Sequence, residues 1–205
     1  MKNILKNQNF LDLLENILNS KVMRETYKEI NKLGKSNIET IKDDKRNINY
    51  DIYKYYCKFI NDFKEIIKKN IFILMKLSKQ YKGITCRFLK IIINSQDVIL
   101  KKKANTEDDK IKLLNAYLIF IIIHEFNHFI KRYYNIDVDK DDAITPTKNE
   151  GGKEVIELLF GHYLLNRNIN IAQAQYILDI NNWNIKNLKA FREDYCKISS
   201  TPNDK

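Results

Sequence analysis

The stretch Leu113-Leu114-Asn115-Ala116-Tyr117-Leu118-Ile119-Phe120-Ile121-Ile122-Ile123 constrains this chain more than any other part of it. Thr106 stands before it as a good helix N-cap. Glu107, Asp108 and Asp109 follow in the first turn, where negative charge favours a helix dipole, and the pattern runs on to about Tyr134. One long helix is expected. Its apolar residues keep to no single stripe: Tyr117 and Ile121 fall on one side, Leu118, Ile119, Ile122 and Phe126 on another. A helix apolar nearly all round cannot lie on a surface, so it must cross the core with the rest of the chain wrapped about it. The run itself is too short to span a bilayer and is followed at once by His and Glu.

What wraps it is also mainly helical. A chain of 205 residues that is 44% hydrophobic can bury one substantial core, so residues 1–205 are expected as a single domain. Only 5 Gly and 2 Pro are present, too few for an all-β fold with many tight turns. Phe10, Leu13, Leu14, Ile17 and Leu18, then Val22, Tyr27, Ile30 and Leu33, recur at helical spacing, with Gly34 as the expected C-cap and a polar loop over 35–49. A second stripe runs through Tyr53, Tyr56, Phe59, Ile60, Phe63 and Ile67. Ile71 to Leu77 extends it or forms a strand. Ile84 to Ile93 and Val98 to Leu100, separated by Asn94-Ser95-Gln96-Asp97, predict a hairpin. Ile171 to Ile180 and Ile185 to Ile198 read as two further short elements, with Trp183 between them as a packing anchor.

Directly after the apolar run stands His124-Glu125-Phe126-Asn127-His128. Residues four apart on a helix lie one turn apart on one face, so both imidazoles can reach one metal ion, while a carboxylate beside them can accept a proton from metal-bound water. The chain holds only three histidines. Random placement of three histidines and eleven glutamates would produce this pattern on the order of 1 time in 600. A catalytic zinc site needs a third protein ligand and an open position. The metzincin continuation is excluded, because the positions that would carry Gly and His hold Lys131 and Tyr134.

Further along, Asn149-Glu150 is followed by Glu154 and, later on the same expected helix, by Phe160-Gly161. On these residues and the histidine motif, within 117–163, the chain resembles the gluzincin, thermolysin-like zinc metallopeptidases. That resemblance implies a zincin-like α+β domain, mainly α, with a long active-site helix, a small β-sheet or hairpin and a following glutamate-bearing helix. It implies Zn2+ held by His124, His128 and Glu150, with Glu125 as general base and Glu154 orienting a histidine. The spacing to Phe160-Gly161 instead favours Glu154 as the ligand. A short sheet before the metal-binding helix would offer an edge strand to a peptide or protein substrate.

The residues alone leave the third ligand open among Glu150, Glu154, Glu157, His162 and an acid in 137–142. At 100° per residue Glu150, Glu154 and Glu157 share one side of the second helix with Leu158, Leu164 and Leu165, so that side is not simply solvated. Carboxylates in apolar surroundings need a cation or hydrogen bonds. Gly151 and Gly152 permit close helix approach or mark a loose helix start. His162, Tyr163, Tyr133 and Tyr134 are the nearby donors for a developing oxyanion.

A net charge of +10 raises a nucleic-acid or membrane-surface alternative. The basic residues are mostly Lys, with six Arg, and are spread along the chain; Lys101-Lys102-Lys103 is the sharpest cluster and reads as a solvated turn. No specific nucleic acid is expected. Cys57, Cys86 and Cys196 are odd in number and widely spaced, as free thiols in a reducing compartment would be. Met1 to Lys21 lacks a continuous apolar signal region, and an intracellular soluble protein is expected. The reading is a zinc metallopeptidase; the alternatives are a degenerate zincin serving as a metal-binding or interaction module, and a basic nucleic-acid binder.

Overall fold

A computed structural model describes residues 4–40, 51–69, 71–76, 83–86, 90–94, 106–134, 151–160 and 169–190. The first helix, α1 (Gln8–Asn19), is capped by Asn7, whose side-chain oxygen accepts from the Phe10 amide at 3.3 Å. It breaks at Ser20, and α2 (Lys21–Thr40) begins directly after. The expected stripe is the buried one: Phe10, Leu14, Ile17 and Leu18, then Val22, Met23, Tyr27 and Ile30. Gly34 does not cap this helix, which runs through it to Thr40 and takes up the first part of the expected loop. Glycine inside a helix costs only about 1 kcal/mol relative to alanine, which the buried first half of α2 outweighs.

Asp51 caps α3 (Ile52–Lys68) by accepting from the Lys54 amide at 3.1 Å. Tyr56 of α3 stacks on Tyr27 of α2 with ring centroids 4.0 Å apart, and its buried hydroxyl donates to the Leu18 carbonyl. One side chain thus ties the first three helices together.

Three short strands come next: β1 (Phe72–Met75), β2 (Gly83–Cys86) and β3 (Lys90–Asn94). They lie in the order β1-β3-β2, with β1 parallel and β2 antiparallel to β3. The hairpin differs from the expected one. The run 84–93 folds back on itself, with Ile84 opposite Ile92 and Thr85 opposite Ile91. This register puts Ile91 and Ile93 on a buried face together with Thr85. Residues 98–100 lie outside the described ones.

The long helix α4 (Glu107–Tyr133) has the predicted bounds and cap, Thr106 Oγ1 accepting from the Asp109 amide at 3.1 Å. From Ala116 to Lys131 every residue is buried. Around it stand α3, β2, β3, α5 (Gly151–Phe160) and α6 (Ile171–Leu178). Phe126 meets Phe59 and Phe63 of α3 and Phe72 of β1. Phe120 sits edge-on to Phe160 of α5, which in turn meets Trp183. Trp183 is buried as expected, donating its indole N–H to the Ile177 carbonyl at 2.9 Å, ahead of a helix over 185–190. By length and composition α4 could cross a membrane, but 89% of its most apolar window is buried inside this chain, the pattern of a core helix. The architecture is α+β and mainly α.

Candidate functional site

The middle of α4 carries the histidine motif. His124 and His128 lie one turn apart with ring centroids 5.4 Å apart and planes tilted by 58°. Both are buried, as is Glu125 between them in sequence. Two unrelated surface histidines would be solvated; these are buried, and His124 lies against Gly152 of α5.

Glu125 faces the sheet. Thr85, at the middle of β2, places its hydroxyl 2.7 Å from Glu125 Oε2 and 3.0 Å from the Glu125 backbone carbonyl. The other carboxylate oxygen, Oε1, lies 3.9 Å from Nε2 of His124. That is beyond hydrogen-bond length, so the two groups are neighbours without being bonded to each other. The carboxylate is thus held at one oxygen and presents the other on the imidazole side.

On the opposite flank α5 comes as close as a backbone can. A Cβ built on Gly152 would sit 2.7 Å from Cγ, Cδ2 and the carbonyl oxygen of His124, closer than any real side chain approaches. Glycine at 152 is therefore a packing requirement, which resolves the choice between close approach and a loose helix start. Glu154, two residues on, exposes 4% of its surface. Its Oε1 finds no hydrogen-bond donor among the described residues. Burial lifts its pKa to about 7, against the pull of Lys131 and with a further push from Glu157. Lys131 is itself buried, on the same face of α4 as the histidines. Glu157 ion-pairs with Lys153 at 3.5 Å on the half-buried edge of α5.

Comparison with protein-family models, with curated proteins and with solved structures finds no match. The site therefore rests on its own geometry. Among the described residues no three His, Cys, Asp or Glu side chains converge to hold a metal ion. The described position of Glu154 thus does not complete a ligand set with His124 and His128, and neither does that of Glu157. Glu150, His162, Tyr163 and the acids of 137–142 lie outside the described residues. The Tyr133 ring stacks on Phe129 and the Tyr134 ring on Tyr55, so both rings pack where α3 meets α4.

Sequence reasoning missed Thr85 and Lys131. Thr85 carried a readable signal, being a hydroxyl on the inward alternation of an otherwise apolar strand pair, where a buried polar atom needs a partner. Lys131 was visible only as the residue that breaks the metzincin pattern.

Proposed function

We propose that this chain is a zinc-dependent metallopeptidase. The observation that carries the reading is the held carboxylate: Glu125 is buried, fixed at Oε2 by Thr85, and presents Oε1 3.9 Å from the His124 nitrogen that a metal would occupy. A surface glutamate has no reason to be so placed, and a core glutamate is expensive to keep without a task. The donor chemistry fits zinc at two of three protein positions, His124 and His128. Glu150 is assigned the third; it precedes Gly152, the residue in contact with His124, by two positions in the chain. Glu154 then serves to orient a ligating imidazole, and its Oε1, without a donor among the described residues, is available for that.

When bound, zinc makes a water molecule acidic and polarises the scissile carbonyl. The chain's residues do the rest. Glu125 Oε1 would accept a proton from the attacking water and pass it to the leaving amine nitrogen. The His124 imidazole is held in place by the close packing of α5 against it at Gly152.

Zinc analysis of the purified chain, with cleavage assays on quenched-fluorescence peptides, tests the reading. One zinc per chain, chelator-sensitive cleavage and loss of cleavage in Glu125→Gln with zinc retained are expected. Absence of zinc from protein equilibrated with it rejects the reading. The alternative is a zincin fold kept as a metal-binding or interaction module. It predicts bound zinc and no turnover.

A further inference from the structure

Thr85 sits where no motif would place a functional residue, 40 positions before Glu125 in the chain and on a different kind of element. Its surroundings make it unusual. Its strand partner Ile91 and the neighbouring Ile93 are buried, so this face of the sheet is apolar where it meets α4. Valine would fill the same volume and is at least as good a strand former. A hydroxyl there is justified only by what it bonds, and both acceptors within its reach belong to one residue, the Glu125 carboxylate and the Glu125 carbonyl.

We infer that Thr85 is the positioning residue for the general base, fixing one oxygen of Glu125 so that the other is aimed at the attacking water. A hydroxyl has one hydrogen to give, and the charge-assisted bond to Oε2, the shorter of the two at 2.7 Å, is the stronger. With Oε2 engaged, the carboxylate cannot rotate about its last bond, and Oε1 stays on the imidazole side. Once Oε1 has taken up a proton, Oε2 becomes the carbonyl oxygen of the acid and still accepts from the Thr85 hydroxyl, so the side chain keeps its orientation until the proton is delivered. No atom of Thr85 touches the substrate; it acts through Glu125.

The assignment rests on the metallopeptidase reading, and the experiment separates the two. Thr85→Val and Thr85→Ser are compared with the unaltered chain for zinc content, thermal melting, and kcat and KM on the best-cleaved peptide of a quenched-fluorescence library. Valine should keep the zinc and the fold, leave KM unchanged and lower kcat about 10- to 100-fold, the scale of a misaimed catalytic group. Serine, which restores the hydroxyl, should return kcat to within about 3-fold of the unaltered chain. A merely structural threonine would show the reverse: valine active, serine slightly less stable. If valine prevents folding, Thr85→Ala is read by the same criteria. A Thr85→Val enzyme with normal kcat overturns the assignment alone. No zinc-dependent cleavage by the unaltered chain overturns the metallopeptidase reading and the assignment with it.

Discussion

Glu125 and Glu154 stand on the two helices that meet at the histidines, and each exposes 4% of its surface. The chain treats them differently. Glu125 receives a hydroxyl from β2 at 2.7 Å, whereas Glu154 leaves one oxygen without a donor among the described residues and is lifted by burial to a pKa of about 7. A buried carboxylate without partners costs more than a partnered one, and a protein relieves that cost by protonation or by a nearby cation. The contrast divides the labour. Under the proposed function, the carboxylate that would exchange protons with water is aimed by the fold itself, and the one beside the proposed ligand would be satisfied by the bound metal site.

The largest effect that could break this contrast is on turnover. Glu125→Gln should lower kcat about 10²- to 10⁴-fold, the range of a lost general base, with zinc affinity nearly unchanged. Glu154→Gln should weaken zinc about 10- to 100-fold and leave the zinc-saturated kcat much closer to normal, as loss of an orienting partner does. Zinc competition against a chromophoric chelator, paired with kinetics at saturating zinc, reads both. Two variants losing kcat equally at full zinc occupancy would erase the distinction.

Next in size is the contact that brings the helices together. Alanine is the better helix former by roughly 0.5–1 kcal/mol, but overpacking a close contact costs about 1–3 kcal/mol, and here the obstacle includes the His124 carbonyl, which cannot swing aside. Gly152→Ala should therefore destabilise, lowering Tm by about 2–4 °C for each kcal/mol lost, and should weaken zinc by displacing the imidazole. A Tm that rises would mean that α5 does not lie against His124.

Much of the contrast is legible in the sequence on the α4 side and little of it elsewhere. The all-round apolar pattern of 113–130 can only be a core helix, and the histidine spacing fixes a shared face, because both derive from the 3.6-residue period. The buried stripe of α3 and the anchoring role of Trp183 come from the same arithmetic and from aromatic area. Gly34 misleads because a glycine that caps a helix and a glycine tolerated within one are the same residue in the same polar surroundings, and the packing of the preceding turns decides between them. The hairpin is misplaced because a strand pair without punctuating turn residues leaves its register to which face is buried, and that is a tertiary property. Thr85 on Glu125 and Lys131 beside Glu154 join residues 40 and 23 positions apart, and no local pattern encodes such pairs.

A smaller effect comes from the pKa of Glu154. In the unfolded chain its carboxyl ionises near 4.5, in the metal-free fold near 7. Below 4.5 both states hold the proton. Between the two values the unfolded state gives it up first, so metal-free stability falls as pH rises from 4.5 to 7 and is level above that. The decline should amount to about 1–3 kcal/mol, with about 2–4 °C in Tm for each kcal/mol. Melting curves of metal-stripped protein at pH 5 and pH 8 should show the decline, and Glu154→Gln should flatten it. Zinc reverses the trend, because its ligands bind deprotonated: added zinc should raise Tm more at pH 8 than at pH 5.

The smallest effect isolates the charge that Glu154 feels from its own helix. Glu157 pushes the Glu154 pKa up, while its ion pair with Lys153, with both side chains about 35% exposed, contributes only about 0.2–1 kcal/mol. Glu157→Gln removes one like charge from Glu154 and leaves burial, the larger cause, untouched. The Glu154 carboxyl should therefore titrate slightly lower in that variant and still well above an ordinary glutamate, as read by carbon-detected NMR on metal-stripped protein. A return to the ordinary value would mean that Glu157, and not the apolar enclosure, keeps Glu154 protonated. The contrast with Glu125 would then reduce to two neighbouring acids on α5, with no cation site implied.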